Sequence, residues 1–172
     1  DILEIDASSR VYREQHAQVL NLLLVVGVDS GTPAAAPVSL ILTPTQLVTV
    51  RYADPQAFRS LDHSCTRTAP GASAQGLLTR LMENIVDRTA DILERTGSEI
   101  DSVASLVFGL DRPQTLRLST GDLQTILRRI GSTQYVLNKV HESLVTQLRA
   151  VSFLSIGHSD NEGATRAKPE KL

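Results

Sequence analysis

Hydrophobic residues in the first third of the chain follow the patterns that β-strands produce. Residues 19–28 are almost all apolar, which is typical of a strand buried on both faces of a sheet. A short polar strand is predicted before this segment at residues 9–14, and two more strands are predicted at residues 38–42 and 47–52. Because the strands follow one another closely, we predict an antiparallel or mixed sheet meander.

Turn signals lie between these predicted strands. The third and fourth strands are separated by Thr43-Pro44-Thr45-Gln46, in which the proline favours the φ angle of a type I turn. Residues 29–37 contain a glycine and two prolines, which interrupt strand and helix patterns. We therefore predict that residues 29–37 form a loop.

A helical period replaces the strand pattern after residue 53. Asp54 is a good N-terminal cap and Pro55 is tolerated in the first helical turn, so we predict a helix at about residues 55–66. A much longer helix is predicted at about residues 74–108, and Gly109 follows its end.

A second long helix is predicted at about residues 119–155, opened by a capping box of Ser119 and Asp122. Both long helices carry apolar residues at spacings near three and four. On the first helix these are Leu78, Leu81, Ile85, Ile92, Ile100, Val103 and Val107. On the second they are Leu123, Ile126, Ile130, Leu137, Val140, Leu144, Leu148 and Val151. We predict that these stripes face each other in an antiparallel hairpin, which gives an α/β fold.

The whole pattern fits one domain. The chain has 172 residues, of which 41% are hydrophobic, so one core is expected over residues 1–156. The apolar period stops at residue 157, and we predict a flexible linker or tail at residues 157–172. The chain begins with Asp1, which indicates a piece of a longer protein. Its longest apolar run is about half the ~20 residues that a membrane-spanning helix needs.

Charge and cysteine content exclude several classes of function. The net charge of −2 offers no basic surface for nucleic acid. The single cysteine, Cys65, cannot form an intramolecular disulfide and is compatible with a reducing cytoplasm.

Catalytic signatures are missing where the sequence would show them. The glycines have neither dinucleotide nor Walker spacing, and there is no Gly-x-Ser-x-Gly elbow. Asp62-His63-Ser64-Cys65 is a local group of metal-ligand types, but without further nearby Cys or His an exposed helix end is the favoured interpretation. We predict that the protein is not an enzyme, although sequence alone does not exclude a triad that assembles in space.

Carboxylates are the remaining candidates for a functional site, as ligands of a metal ion. One side of the first long helix carries Glu83, Asp87, Asp91 and Glu94, a pattern that can attract hydrated Mg²⁺ weakly. Arginines interleave with them, so a solvated helix face is the favoured interpretation. These arginines are Arg80, Arg88 and Arg95. A second acidic set opens the chain with Asp1, Glu4 and Asp6, and its residues alone indicate only an exposed chain end.

Three segments, taken together and in order, resemble the cytoplasmic domain of CorA-type magnesium and cobalt transporters. Residues 1–10 are similar to the segment before the family's sheet hairpin, residues 40–52 to its strands, and residues 74–154 to the helix pair beside its central stalk. The family's stalk helix, pore helices and Gly-Met-Asn signature are absent from this chain. The resemblance implies an α/β/α sandwich that is a fragment of a cytoplasmic funnel.

The resemblance also implies a role and a metal site. The whole protein is expected to be a homopentamer in the bacterial inner membrane, with this part on the cytoplasmic side sensing Mg²⁺ between subunits to gate Mg²⁺ or Co²⁺ transport. A carboxylate in the family segment matching residues 1–3 binds the regulatory Mg²⁺, so this role carries over to Asp1. We add Glu4 because helical spacing puts it on the same face. Two alternatives stay open: a non-catalytic hairpin for oligomerisation or partner docking, and the soluble domain of a related zinc transporter.

Overall fold

The computed structural model describes residues 11–14, 16–65, 73–108 and 118–166, with side chains except at residues 64–65 and 156–166. Four strands are followed by three helices. The strands are β1 (Val11–Glu14), β2 (Ala17–Val26), β3 (Ala34–Leu42) and β4 (Leu47–Arg51). The helices are α1 (Gln56–Cys65), α2 (Ala74–Phe108) and α3 (Thr120–Arg166).

The strands form one sheet in which every neighbouring pair is antiparallel, in the order β1-β2-β3-β4. The turn between β3 and β4 closes where the sequence predicts it, because the amide of Thr43 donates to the carbonyl oxygen of Gln46 at 2.9 Å. The Thr43 hydroxyl also accepts from the Gln46 amide at 3.0 Å. The predicted antiparallel meander is confirmed.

The predicted loop at residues 29–37 is too long, because β3 begins at Ala34 and includes Pro37. A proline fits inside this strand for a reason of pairing. Backbone N–H groups along a strand point alternately to its two neighbours. The amide of Thr43 points towards β4, so the backbone nitrogen of Pro37, six residues earlier, points to the same side. The last residue of β4, Arg51, pairs with Val38, so β4 has no residue paired with Pro37 that needs an N–H donor.

The core lies on one face of the sheet. Even-numbered residues of β2 and β3 point into it, and Leu20, Val38 and Leu40 are completely buried there. Helices α1 and α2 add further apolar side chains to the same core: Ala57, Phe58, Ala74, Leu78, Leu81, Met82 and Ile85. Odd-numbered residues such as Leu23 and Ile41 lie on the opposite face and are half-buried. Among the described residues, helices thus cover one face, where the resemblance implied two helical layers.

The antiparallel hairpin of α2 and α3 is confirmed. Arg129 of α3 donates from Nε to Glu99 of α2 at 2.6 Å, and Gln147 of α3 donates to Thr89 of α2 at 3.3 Å. Residues later in α2 therefore contact residues earlier in α3, as expected for an antiparallel pair. This is the pairing on which the predicted fold depended.

The predicted contact stripe on α3 is wrong. Of its eight residues only Ile126 and Val140 are buried, whereas Leu148 is 68% exposed. The side of α3 that meets the rest of the molecule mixes polar and apolar residues. Its buried residues are Ile126, Thr133, Val140, Ser143, Thr146, Gln147 and Ala150. Two of the seven predicted positions on α2, Ile100 and Val107, are likewise exposed. A helical period shows that apolar residues recur along one side of a helix. Two neighbouring sides of the same helix have the same period, so the period alone does not show which side packs inward.

The second long helix also extends further than predicted. It begins as expected, since Ser119 and Asp122 form the reciprocal capping bonds at 2.9 and 3.2 Å. It then continues to Arg166, beyond the predicted end at residue 155 and into the predicted linker. Gly157 and Gly163 each cost a helix only about 1 kcal/mol, and the first proline, which costs about 3 kcal/mol, comes at position 169.

Candidate functional site

Asp1 and Glu4, the predicted Mg²⁺ ligands, lie outside the described residues, as does Asp6. Their role as ligands therefore stays a prediction. The first described residue, Val11, pairs with Leu20 in β2.

The acidic side of α2 is exposed to solvent along its length. Glu83, Asp87, Asp91 and Glu94 are all exposed. No group of three or more His, Cys, Asp or Glu side chains in the described residues is arranged to hold a metal ion. A row of carboxylates spaced along one helix spreads its charge over several turns instead of converging on one point.

Two of the arginines between these carboxylates contact Asp29, in the turn between β2 and β3. Arg88 donates to Asp29 at 2.6 Å and Arg95 donates to it at 2.5 Å. The hydrogen bond from Arg95 is the main reason that the pKa of Asp29 is lowered, and the charge of Arg88 adds to the effect. The turn is thereby tied to the middle of α2.

Histidines do not converge in the described part of the chain. His16 follows β1, His63 lies near the end of α1 and His141 lies on α3, and all three side chains are exposed. The side chains of Ser64, Cys65 and His158 are not among those described. The predicted group of residues 62–65 is thus placed on α1, but the disposition of its thiol stays untested.

A buried hydrogen-bond network joins α2, α3 and β2. The hydroxyl of Ser143 donates to the main-chain oxygen of Leu23 at 2.6 Å. The amide of Leu23 donates to the hydroxyl of Thr146 at 3.0 Å. The main-chain N–H and carbonyl groups of Leu23 both point away from β3, at a level of β2 that β1 does not reach. Helix α3 therefore supplies the hydrogen-bond partners that another strand would provide.

The network continues into α2. The side-chain amide of Gln147 donates to Ser143 at 2.8 Å and to Thr89 at 3.3 Å, and Thr89 donates to the oxygen of Ile85 at 2.8 Å. All the side chains involved are at most 7% exposed. No buried side-chain nitrogen or oxygen in the described residues lacks a partner. A complete network of this kind favours one relative position of the helices and the sheet.

Sequence reasoning missed these polar residues. The available signal was a set of three neutral polar residues between apolar neighbours on a long helix: Ser143, Thr146 and Gln147. A polar side chain buried on a helix must find a partner, and here that partner is main chain about 120 residues earlier.

The outward side of the hairpin carries a series of exposed apolar side chains. On α2 it comprises Val86, Leu93, Ile100 and Val107, which are 38–52% exposed. On α3 it comprises Leu123, Leu127, Ile130, Leu144, Leu148 and Val151, which are 41–68% exposed. We call these residues together the hairpin face. Contiguous exposed apolar surfaces of this kind mark interaction sites.

A groove shows that the two rows belong to the same side of the molecule. It has a volume of about 750 Å³ and lies between the N-terminal half of α2 and residues 151–155 of α3. Val86 of α2 and Val151 of α3 both line it, with Met82 and Leu154 beside them. Glu83 and Asp87 also line it. The groove therefore combines apolar side chains with two carboxylates.

No helix among the described residues combines the length and the apolar character that crossing a bilayer requires.

Comparisons with known proteins give a consistent result. A family model described as "CorA-like Mg2+ transporter protein" matches residues 1–170. No curated protein matches the sequence.

Among solved structures, 24 chains match. One of them, "structure of the full-length CmaX protein", has a TM-score of 0.56 and 12% sequence identity over 92% of this chain. At this identity the likeness shows the fold alone. The chain spans 59% of the length of that chain.

Proposed function

Because this chain belongs to the family of CorA-like Mg²⁺ transporter proteins, we propose that it is the ion-sensing part of a divalent-cation transporter. The single observation that carries the proposal is the family match over residues 1–170. In the proposed protein, this part lies on the cytoplasmic side of the bacterial inner membrane in a homopentamer. The proposed cargo is Mg²⁺ or Co²⁺.

Asp1 and Glu4 are the residues that we propose to hold a regulatory Mg²⁺ between subunits. Carboxylate oxygens are the ligands that Mg²⁺ prefers, and one or two of them suffice because the ion keeps several of its waters. Such an ion supplies positive charge between two acidic chain segments. When the ion leaves, the carboxylates of neighbouring subunits repel each other, so the assembly loosens.

The first alternative is a docking or oligomerisation module that does not respond to ions. The hairpin face favours it, because its exposed leucines need no metal in order to associate. The second alternative is the soluble part of a zinc transporter of the same family. Carboxylates alone suit Mg²⁺ better, because zinc sites usually include His or Cys.

Transport by the full-length protein in vesicles tests the proposal. Uptake is measured at low and high Mg²⁺ on the side facing this domain, for the unmodified protein and for a variant with Asp1→Asn and Glu4→Gln. We expect high Mg²⁺ to inhibit the unmodified protein strongly and the variant weakly. Glu14→Gln is the control, since Glu14 is an exposed carboxylate on β1. Equal inhibition of all three proteins contradicts the assigned residues.

Thermal unfolding separates the alternatives. A ligand that binds only the folded state must raise the melting temperature, so Mg²⁺ should stabilise the full-length protein and do so less in the double variant. Absence of any shift with Mg²⁺ favours the docking module. A shift with Zn²⁺ at much lower concentration than with Mg²⁺ favours the zinc transporter.

A further inference from the structure

A series of exposed apolar and small residues runs along one side of α2. Its spacing alternates between four and three over three heptads, and we call it the α2 seam: Val86, Ala90, Leu93, Gly97, Ile100, Ala104 and Val107. The four large residues are 38–52% exposed, Ala90 is exposed and the other two are half-buried. Alternating spacings of three and four keep one side of a helix facing a second helix over its whole length. The seam therefore points to a helical partner.

Small residues alternate with large ones along the α2 seam. Ala90, Gly97 and Ala104 leave room for the large side chains of a facing helix between the seam's own large residues. Glycine weakens the interior of a helix, and a Cβ atom at Gly97 would meet nothing within 4 Å. The fold of this chain therefore gives no reason for glycine at position 97, whereas the close approach of a second helix does.

A row of carboxylates follows one flank of the α2 seam. Asp87, Glu94 and Asp101 each come directly after a large seam residue, one in every heptad. All three are exposed, and none forms an ion pair with another described residue. Neighbours in this row are about 10 Å apart along the helix, which is too far for them to bind one metal ion. Such a row suits basic side chains that recur at the same interval on a partner.

The long helices of a second copy do not supply these basic side chains. The other flank of the seam is uncharged and packs into the molecule through Thr89, Thr96 and Val103. Two antiparallel α2 helices would therefore bring acidic flank to acidic flank, and two parallel ones would bring each acidic flank to the packed one. The corresponding positions beside the exposed leucines of α3 are also uncharged, namely Gln124, Gly131 and Asn138. Charge thus favours a helix from a different chain.

We propose that the α2 seam binds an amphipathic helix of another protein, whose apolar side is flanked by one Lys or Arg in every heptad. The groove continues the seam at one end, because Val86 lines it and Val151 and Leu154 of α3 lie across from it. The partner helix is therefore held between two helices at that end and lies along α2 alone further on. The contact uses one helix of each copy and needs no two-fold axis, so it is compatible with the proposed homopentamer. It involves neither Asp1 nor Glu4, and it does not depend on the proposed Mg²⁺ site.

Two synthetic helical peptides of about three heptads test the chemistry of the partner. Both carry leucine at the two apolar positions of each heptad, and the flanking positions are lysine in one peptide and glutamate in the other. Fluorescence anisotropy measures their binding to the 172-residue chain. We expect the lysine peptide to bind roughly tenfold more tightly than the glutamate peptide at low salt, and the difference to shrink in about 1 M salt. Equal binding of both peptides, or no binding of the lysine peptide up to about 100 µM, overturns the proposal.

Substitutions on α2 test whether the lysine peptide binds at the seam. Leu93→Gln with Ile100→Gln should weaken binding at least roughly tenfold while circular dichroism stays unchanged. Leu127→Gln with Leu148→Gln is the matched control, because these leucines are 67% and 68% exposed but lie on α3. Equal loss in the two variants overturns the proposal. So does a dimer of the unmodified chain, seen by sedimentation velocity, that the α2 variant dissociates, because a second copy then occupies the seam.

Charge reversal tests the acidic flank without touching the apolar residues. Glu94→Lys should weaken binding of the lysine peptide several-fold at low salt, since it places like charges next to each other. Asp91→Lys is the control, because Asp91 is an exposed carboxylate of the same helix, three residues away and outside the flank. Equal effects of the two substitutions contradict a specific role of the flank and overturn the basic partner.

Gly97 allows a test in which stability and binding change in opposite directions. Gly97→Leu should raise the melting temperature, because leucine is the better helix former and a Cβ atom has open space there. It should nevertheless weaken binding of the lysine peptide several-fold, because the added side chain keeps the partner helix away. Gly131→Leu on α3 is the matched control, since a Cβ atom at Gly131 also meets nothing within 4 Å, and binding should stay unchanged. Unchanged binding in Gly97→Leu overturns the close approach at this position.

Discussion

The hydroxyl of Ser143 on α3 donates a 2.6 Å hydrogen bond to the main-chain oxygen of Leu23 on β2, 120 residues earlier in the chain. The same hydroxyl accepts from Gln147, and Ser143 is only 1% exposed. One small polar side chain therefore holds the long helix against the open part of a strand. The position of α3 and the hydrogen bonding of the open edge of β2 therefore depend on each other at Leu23.

Replacing Ser143 by alanine should lower the free energy of unfolding by about 1–3 kcal/mol. The substitution leaves the buried oxygen of Leu23 without its donor and removes one acceptor from Gln147. Urea denaturation at fixed protein concentration measures the loss. Ser155→Ala is the control, since the Ser155 hydroxyl bonds Val151 on the exposed surface of the same helix. Equal stability of the two variants would refute the structural role of Ser143.

In the turn after β2, alanine should cost more stability at Gly27 than at Gly31. Gly27 and Gly31 have φ angles of 72° and 75°, so alanine is strained at both, by about 1–2 kcal/mol. At Gly27 a Cβ atom also lies 2.2 Å from the carbonyl oxygen of Thr32, whereas at Gly31 it meets nothing within 4 Å. Gly27→Ala should therefore reduce the melting temperature clearly more than Gly31→Ala. The reverse order would contradict the turn geometry.

The side of α3 that packs inward can be tested by removing one residue from each side. Val140 is 1% exposed and Leu148 is 68% exposed. Val140→Ala should cost about 2 kcal/mol of unfolding free energy, and Leu148→Ala should change it by less than about 0.5 kcal/mol, although it removes more carbon. The measurement is chemical denaturation at concentrations low enough to keep the chain monomeric. A larger cost at Leu148 would restore the contact stripe that the sequence predicts.

Acid should weaken the link between Asp29 and α2. The pKa of Asp29 is lowered in the folded protein, mainly by its hydrogen bond from Arg95, so its stabilising contribution is present above the unfolded pKa of about 3.9. The contribution is lost as the pH falls through the folded value. Asp29 is 55% exposed, so the effect at neutral pH is below about 1 kcal/mol.

Urea unfolding of the unmodified chain and Asp29→Asn from pH 7 to pH 3 measures this contribution. The difference in stability should be largest near neutral pH, should shrink below about pH 4 and should also shrink in 1 M salt. Glu14→Gln, at an exposed position on β1, serves as the control. A difference that is the same at pH 3 and pH 7 would rule out the ionised carboxylate as its source.

The candidate site was predictable only in part. Sequence pattern and family resemblance nominated Asp1 and Glu4, and their role stays a prediction because they lie outside the described residues. The acidic row on α2 was also visible in the sequence, including the correct expectation that it is solvated. The hairpin face was not foreseen, because the leucines of α3 were assigned to the contact with α2.

Local physics determined the elements of this protein from the sequence alone. An apolar run specifies β2, Pro44 specifies a turn, and Ser119 with Asp122 opens α3, because each signal acts within a few residues of itself.

Tertiary structure alone decided the rest. Pro37 lies within a strand because β4 stops before reaching it. Helix α3 turns the side that carries Ser143 and Thr146 inward because these residues find the main chain of Leu23 there. Such choices depend on partners distant in sequence, and a hydrophobic period contains no information about which partner a helix side will meet.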